Sequence, residues 1–111
     1  MKHRISTLQY WHDHYNKQEF SGKLSTPKFG VTRSRNTDGY YEHFVDKQRK
    51  AKSKIAISSR LWEDEENLKG TMLHEMIHQY QNEILDRRCN HDAIFCSIAR
   101  RLERKYKFRV R

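Results

Sequence analysis

The spacing of apolar residues changes period along this chain, and each change marks an element. Ile5, Leu8, Trp11 and Tyr15 recur three to four apart, which predicts an amphipathic helix over about Ser6 to Gln18, opened near Ser6 or Thr7. Phe29 and Val31 then alternate with polar neighbours. Asn36-Thr37-Asp38-Gly39 reads as a turn into Tyr40 to Val45, so the two apolar runs are expected to form a hairpin. Lys54 to Ser58 alternates again and predicts a third strand. Helical spacing returns with Leu68, Met72, Leu73, Ile77, Tyr80 and Ile84, giving a helix from about Asp64 to Asp86 with Glu63 to Glu66 at its positive end. Gly70 costs such a helix about 1 kcal/mol relative to Ala, so it points to a close backbone contact. After Arg87-Arg88-Cys89-Asn90, with Asn90 as a candidate cap, a last helix from about Asp92 to Lys105 buries Phe95, Ile98, Ala99 and Leu102. Phe108 and Val110 are expected to add a short final strand. The order predicts one α+β domain over residues 1–111, with a three-stranded antiparallel-type sheet.

Composition narrows the class. No apolar run approaches 18 residues, so no membrane span or membrane partner is expected. The N-terminus lacks the apolar stretch of a secretory signal, and two cysteines are too few for a disulfide framework; both point to the cytoplasm. The net charge of +9 is concentrated in two segments. Lys47 to Arg60 holds Lys47, Arg49, Lys50, Lys52, Lys54 and Arg60 with no acid, and Ser97 to Arg111 holds seven basic residues against Glu103 alone. Such asymmetry suggests a polyanion, with nucleic acid ahead of membrane because no amphipathic anchor is evident.

The chemistry is concentrated in His74-Glu75-Met76-Ile77-His78. On a helix, residues four apart share a face, so two imidazoles can converge on one cation while Glu75 acts on water without being a ligand. His91 is the best placed third nitrogen ligand. Three protein ligands and an open position describe a catalytic zinc site, which predicts a zinc-dependent hydrolase using zinc-activated water. Cys89 could ligate through sulfur, but a fourth protein ligand would close the site, so an ordinary thiol is expected there. Cys96 is expected to be a small core residue. His12 and His14 fall on different helix faces, His3 is terminal, and none of the three is expected to join the site. Trp11 and Trp62 are expected as core anchors. Tyr40, Tyr41, His43 and Tyr80 carry groups suited to an oxyanion partner, without one being singled out.

These residues resemble the SprT-like domain family of Spartan-related zinc metallopeptidases. The resemblance runs from about Ile5 to Lys105 and is most specific at the H-E-x-x-H residues and at His91-Asp92-Ala93-Ile94-Phe95, which is similar to the family's H-G-x-x-F. Ile55-Ala56-Ile57-Ser58 followed by Leu61 matches the strand leading to the active helix. The resemblance implies a zincin-like metallopeptidase fold, one Zn2+ per chain on His74, His78 and His91, and Glu75 as general base. Two departures stand out. Asp92 replaces the family's Gly, at a position where a positive φ would favour Gly. The paired cysteines of the C-terminal zinc ribbon found in many relatives are missing, so a minimal form is expected.

The expected function is a monomeric zinc endopeptidase acting on proteins at or near DNA. Single-stranded DNA is the expected nucleic-acid partner, contacted by Lys47, Arg49, Lys50, Lys52, Lys54, Arg100, Arg101, Arg104 and Lys105. A non-catalytic, zinc-stabilised nucleic-acid-binding module is the alternative, and an interaction protein with a relic site is a third possibility. Glu75 speaks against the non-catalytic module, because a purely structural site has no use for a carboxylate there.

Overall fold

Four consecutive residues, Ile55, Ala56, Ile57 and Ser58, are all buried, so their strand is covered on both faces and takes the centre of the sheet. The computed structural model describes residues 2–110; Met1 and Arg111, the end of the basic tail, lie outside the described residues, as does the side chain of His3. Helix α1 (Lys2–Glu19) leads to β1 (Lys28–Thr32), β2 (Gly39–Val45) and β3 (Ala51–Ser58), then a 3-10 segment (Ser59–Glu63), α2 (Glu65–Glu83) and α3 (Ala93–Tyr106).

The strand order is β1-β3-β2, with β1 parallel and β2 antiparallel to β3. The sheet is therefore mixed rather than antiparallel, and β1 and β2 do not form the expected hairpin. Adjacency in sequence misleads here because the most apolar strand inserts between its two predecessors. The hairpin is instead β2–β3, closed at residues 46–50. There the Asp46 carboxylate accepts the N–H groups of Gln48 and Lys50, both at 2.9 Å, and Arg49 adopts φ 62°. The turn before β2 is anchored separately: Asp38 pairs with Arg60 at 2.8 Å and its carbonyl accepts the Ser58 N–H at 2.7 Å.

Helix α2 packs against β2, β3, α1 and α3 and forms the spine of the molecule. Its Asp64 N-cap accepts the Asn67 N–H, and Leu68, Met72, Leu73, Met76 and Ile77 enter the core. Two glycines permit close packing. A Cβ on Gly39 would stand 2.7 Å from the Ala56 carbonyl, and one on Gly70 would stand 1.9 Å from the Arg109 carbonyl. Gly70 thus marks the backbone contact its cost implied. What it admits is the C-terminal tail, which forms no strand. After Lys107, in the left-handed region at φ 65°, the tail folds back, burying Val110 and joining its N–H to Glu103 at 3.0 Å. Cys96, Ile98, Trp11 and Trp62 are only partly buried. Both tryptophans lie at the core margin beneath cations, Lys69 over Trp11 and Arg4 over Trp62.

Candidate metal centre

Helix α2 carries His74 and His78 one turn apart, and the loop before α3 brings His91 onto them. The Nε2 atom of His91 lies 3.2 Å from that of His78 and 3.2 Å from that of His74, and the three ligand atoms lie within 4.8 Å of one another. In a tetrahedral site with Zn–N near 2.0–2.1 Å, neighbouring nitrogens stand about 3.3 Å apart. Two of the three pairs stand at that spacing, and the clustered imidazoles, one nitrogen from each, lie close enough to hold a metal ion. His78 is buried, His74 half-buried and His91 exposed, so the cluster opens to solvent on the His91 side.

Phe95, itself buried, floors this cluster. Its ring centroid lies 4.8 Å from each of the three imidazoles, and it stacks on His78 at 29°. Phe95 holds that place because Asp92 starts α3. The Asp92 carboxylate accepts the Phe95 N–H at 3.0 Å, with Asp92 at φ −77°, ψ −172°. The residue is extended, so no positive φ is required and Asp serves as the N-cap. Asn90 does not cap the helix; its side chain accepts the Asp92 N–H at 3.0 Å and shapes the approach.

Glu75 is buried, with one carboxylate oxygen 4.0 Å from His74 Nε2. Burial pushes its pKa up to about 8, against the downward pull of the Tyr41 backbone N–H. Burial pushes His74 down to about 4, with the neighbouring His78 and His91 adding to the fall. His78 is lowered too, chiefly by burial, with the Gln81 hydrogen bond opposing. Neutral imidazoles are the form that ligates a metal.

The other candidates separate. Tyr41 shares the α2 side of β2 with Glu75 and donates its hydroxyl to Asn82 at 2.9 Å. Tyr40 points to the opposite face, beside Lys54, while Tyr80 packs on Phe20. His43 is exposed on a groove of about 940 Å³ between β2, β3 and the C-terminal end of α2. Cys89 is outside the metal cluster and donates its thiol to the His78 carbonyl at 3.3 Å. His14 stands among Tyr10, Trp11 and Tyr15, and His12 is buried against Gln79, at 2.8 Å. Sequence patterning gives no hint of Gln81, a buried side chain 2.9 Å from His78 Nδ1, since a glutamine in a helix ordinarily signals a wet face.

The basic residues also divide. Lys47, Arg49 and Lys50 cap the β2–β3 hairpin, roughly 15–20 Å along the strand from Tyr41, with exposed Lys52 and half-buried Lys54 behind them. Arg101 and Lys105 are engaged with Glu19, at 3.0 and 2.6 Å, and the Tyr106 hydroxyl also donates to Glu19. Burial alone would raise Glu19; its hydrogen bonds from Lys105, Tyr106 and Arg101 outweigh that and hold it low. Arg100 and Arg104 are exposed and line a groove of about 630 Å³ with Ala93, Cys96, Ser97 and Arg101, beginning two residues after His91.

A mixed α+β domain with a three-histidine centre able to hold a metal ion is the class that fold and site define. A family model for the SprT-like family matches residues 8–111, and the chain belongs to that family, whose domains are metallopeptidase-like. Comparisons with curated proteins and with solved structures give no match.

Proposed function

We propose that the protein is a zinc-dependent endopeptidase with a zincin-like site, in which His74, His78 and His91 hold the ion and Glu75 is the general base. The observation that carries this is the conjunction of a three-histidine cluster, with His91 Nε2 3.2 Å from the Nε2 atoms of both His74 and His78, and a buried carboxylate 4.0 Å from His74 Nε2. Zinc held there supplies Lewis acidity, polarising a scissile carbonyl and acidifying water. The chain's own residues do the rest. Glu75 accepts a proton from water and passes it to the leaving amine. Burial favours its neutral form, and a cation held by the three neutral imidazoles would favour the carboxylate that a base requires. Phe95 keeps one side of the cluster apolar, and exposed His91 leaves the other open to a polypeptide.

The proposed substrates are proteins at or near DNA, supported by the Arg100 and Arg104 groove, whose first lining residue, Ala93, follows the third ligand by two positions. The hairpin cations form a second and more distant basic surface. Glu75→Gln keeps shape and removes only the base, so peptide hydrolysis should fall about 10²- to 10⁴-fold with zinc content unchanged. Hydrolysis at the wild-type rate would show that Glu75 is not the base, and a wild-type protein that binds zinc but cleaves no peptide would leave the non-catalytic zinc module. In the same preparation, single-stranded DNA affinity should fall with salt at a log–log slope of about −0.7 per phosphate contacted. It should also weaken in an Arg100→Glu, Arg104→Glu variant. Anisotropy unchanged by either would remove the DNA partner and leave the peptidase standing.

A further inference from the structure

We propose that Gln81 is a positioning residue that sets the ring state of His78 and clasps the His91 loop, so that the ligands converge before any ion arrives. This rests on the metal reading of the three histidines. Gln81 is 1% exposed, and both ends of its amide are engaged. Its Nε2 donates to the Asn90 carbonyl at 3.0 Å and lies 3.3 Å from the Asp92 carboxylate oxygen. Both partners are acceptors only, which fixes which end of the amide is nitrogen.

The oxygen end therefore faces His78 Nδ1, at 2.9 Å. An amide oxygen cannot donate, so Nδ1 must carry the hydrogen. In a neutral ring that leaves Nε2 bare, and Nε2 is the atom 3.2 Å from His91. One side chain thus selects the metal-binding nitrogen of the second ligand and holds the residues on either side of the third. The clasp extends outward, since Asp92 also caps α3 through Phe95 and pairs with Arg87 at 3.2 Å. His74 has no equivalent: its Nδ1 is buried without a hydrogen-bond partner among the described residues. Orientation by an outer partner is therefore built on the side of the site where the third ligand must be brought in from a loop.

Two readouts test this. In metal-free wild-type protein above neutral pH, long-range ¹H–¹⁵N spectra should show His78 as the Nδ1–H tautomer; an Nε2–H ring would overturn the assignment. Zinc affinity, read by chelator competition, should fall about 10- to 100-fold in Gln81→Met. Gln79→Met is the control, removing an equally buried amide on the same helix that does not touch a ligand, and its affinity should stay within about twofold of wild type. A loss in Gln81→Met no larger than in Gln79→Met would overturn the clasp. If Gln81→Met does not fold, the wild-type tautomer decides. Wild-type protein that takes up no zinc would instead fail the metal reading, while the tautomer still judges the role of Gln81.

Discussion

The two sides of α2 place the same residue type in the same depth and use it differently. On the α1 side, Gln79 accepts from His12 at 2.8 Å and donates to the Ser25 carbonyl at 2.8 Å and to Glu83 at 3.1 Å. Ser25 in turn donates its N–H and hydroxyl to Glu83, at 2.9 and 2.5 Å. On the α3 side, Gln81 joins His78 to the loop that carries His91. Both glutamines are at most 1% exposed. One network ties a helix and the entry to β1 onto the spine, and the other ties a candidate ligand to the spine. The difference teaches that a buried polar side chain takes its role from what it bridges: two structural elements in one case, two groups of a site in the other.

Breaking the α1 side should give the larger loss of stability. Gln79→Met leaves buried His12 without its partner, while the Ser25 carbonyl and Glu83, which lie toward solvent, can turn to water. An unsatisfied buried group costs about 1–3 kcal/mol, so urea unfolding should show a loss of roughly that size. Because His12 would then lack its partner, adding His12→Leu should cost less in this background than it does alone. Additive losses would show that the two side chains are not coupled.

A smaller effect sharpens the same contrast through pH. Burial lowers His12 below its ordinary 6.5, with its Gln79 hydrogen bond and the charges of Glu83 and Asp13 opposing. The unfolded chain then takes up the proton before the folded one. The stability this site contributes is fully present above about pH 6.5 and is lost as pH falls through the lowered folded value. Wild-type protein should therefore lose more stability than His12→Gln between about pH 7 and 5. Parallel urea midpoints across that range would show that His12 stays neutral for no energetic reason.

How much was legible beforehand follows the same division. His74 and His78 could be placed because a helix converts a spacing of four into one face. The role of Gly70 could be inferred because glycine is costly inside a helix unless something approaches it closely. Strand pairing was not legible: Phe29, Val31 and Tyr40 to Val45 carry strand periodicity, but nothing local says that β3 will lie between them. The capping role of Asp92 was hidden behind its substitution for the family's glycine. Gln79 and Gln81 were hidden for a simpler reason. Between Ile77 and Ile84 they read as the wet side of an amphipathic helix, and only the return of α1 and of the His91 loop dries them.

X-ray absorption at the zinc edge of protein loaded with one equivalent tests the central claim most directly. The account predicts one tightly held zinc per chain, with three imidazole nitrogens at about 2.0–2.1 Å, one further light atom and no sulfur. Removing His91 as His91→Ala should leave two imidazoles. A sulfur shell near 2.3 Å, which only Cys89 or Cys96 could supply, or a spectrum unchanged by His91→Ala, would contradict it.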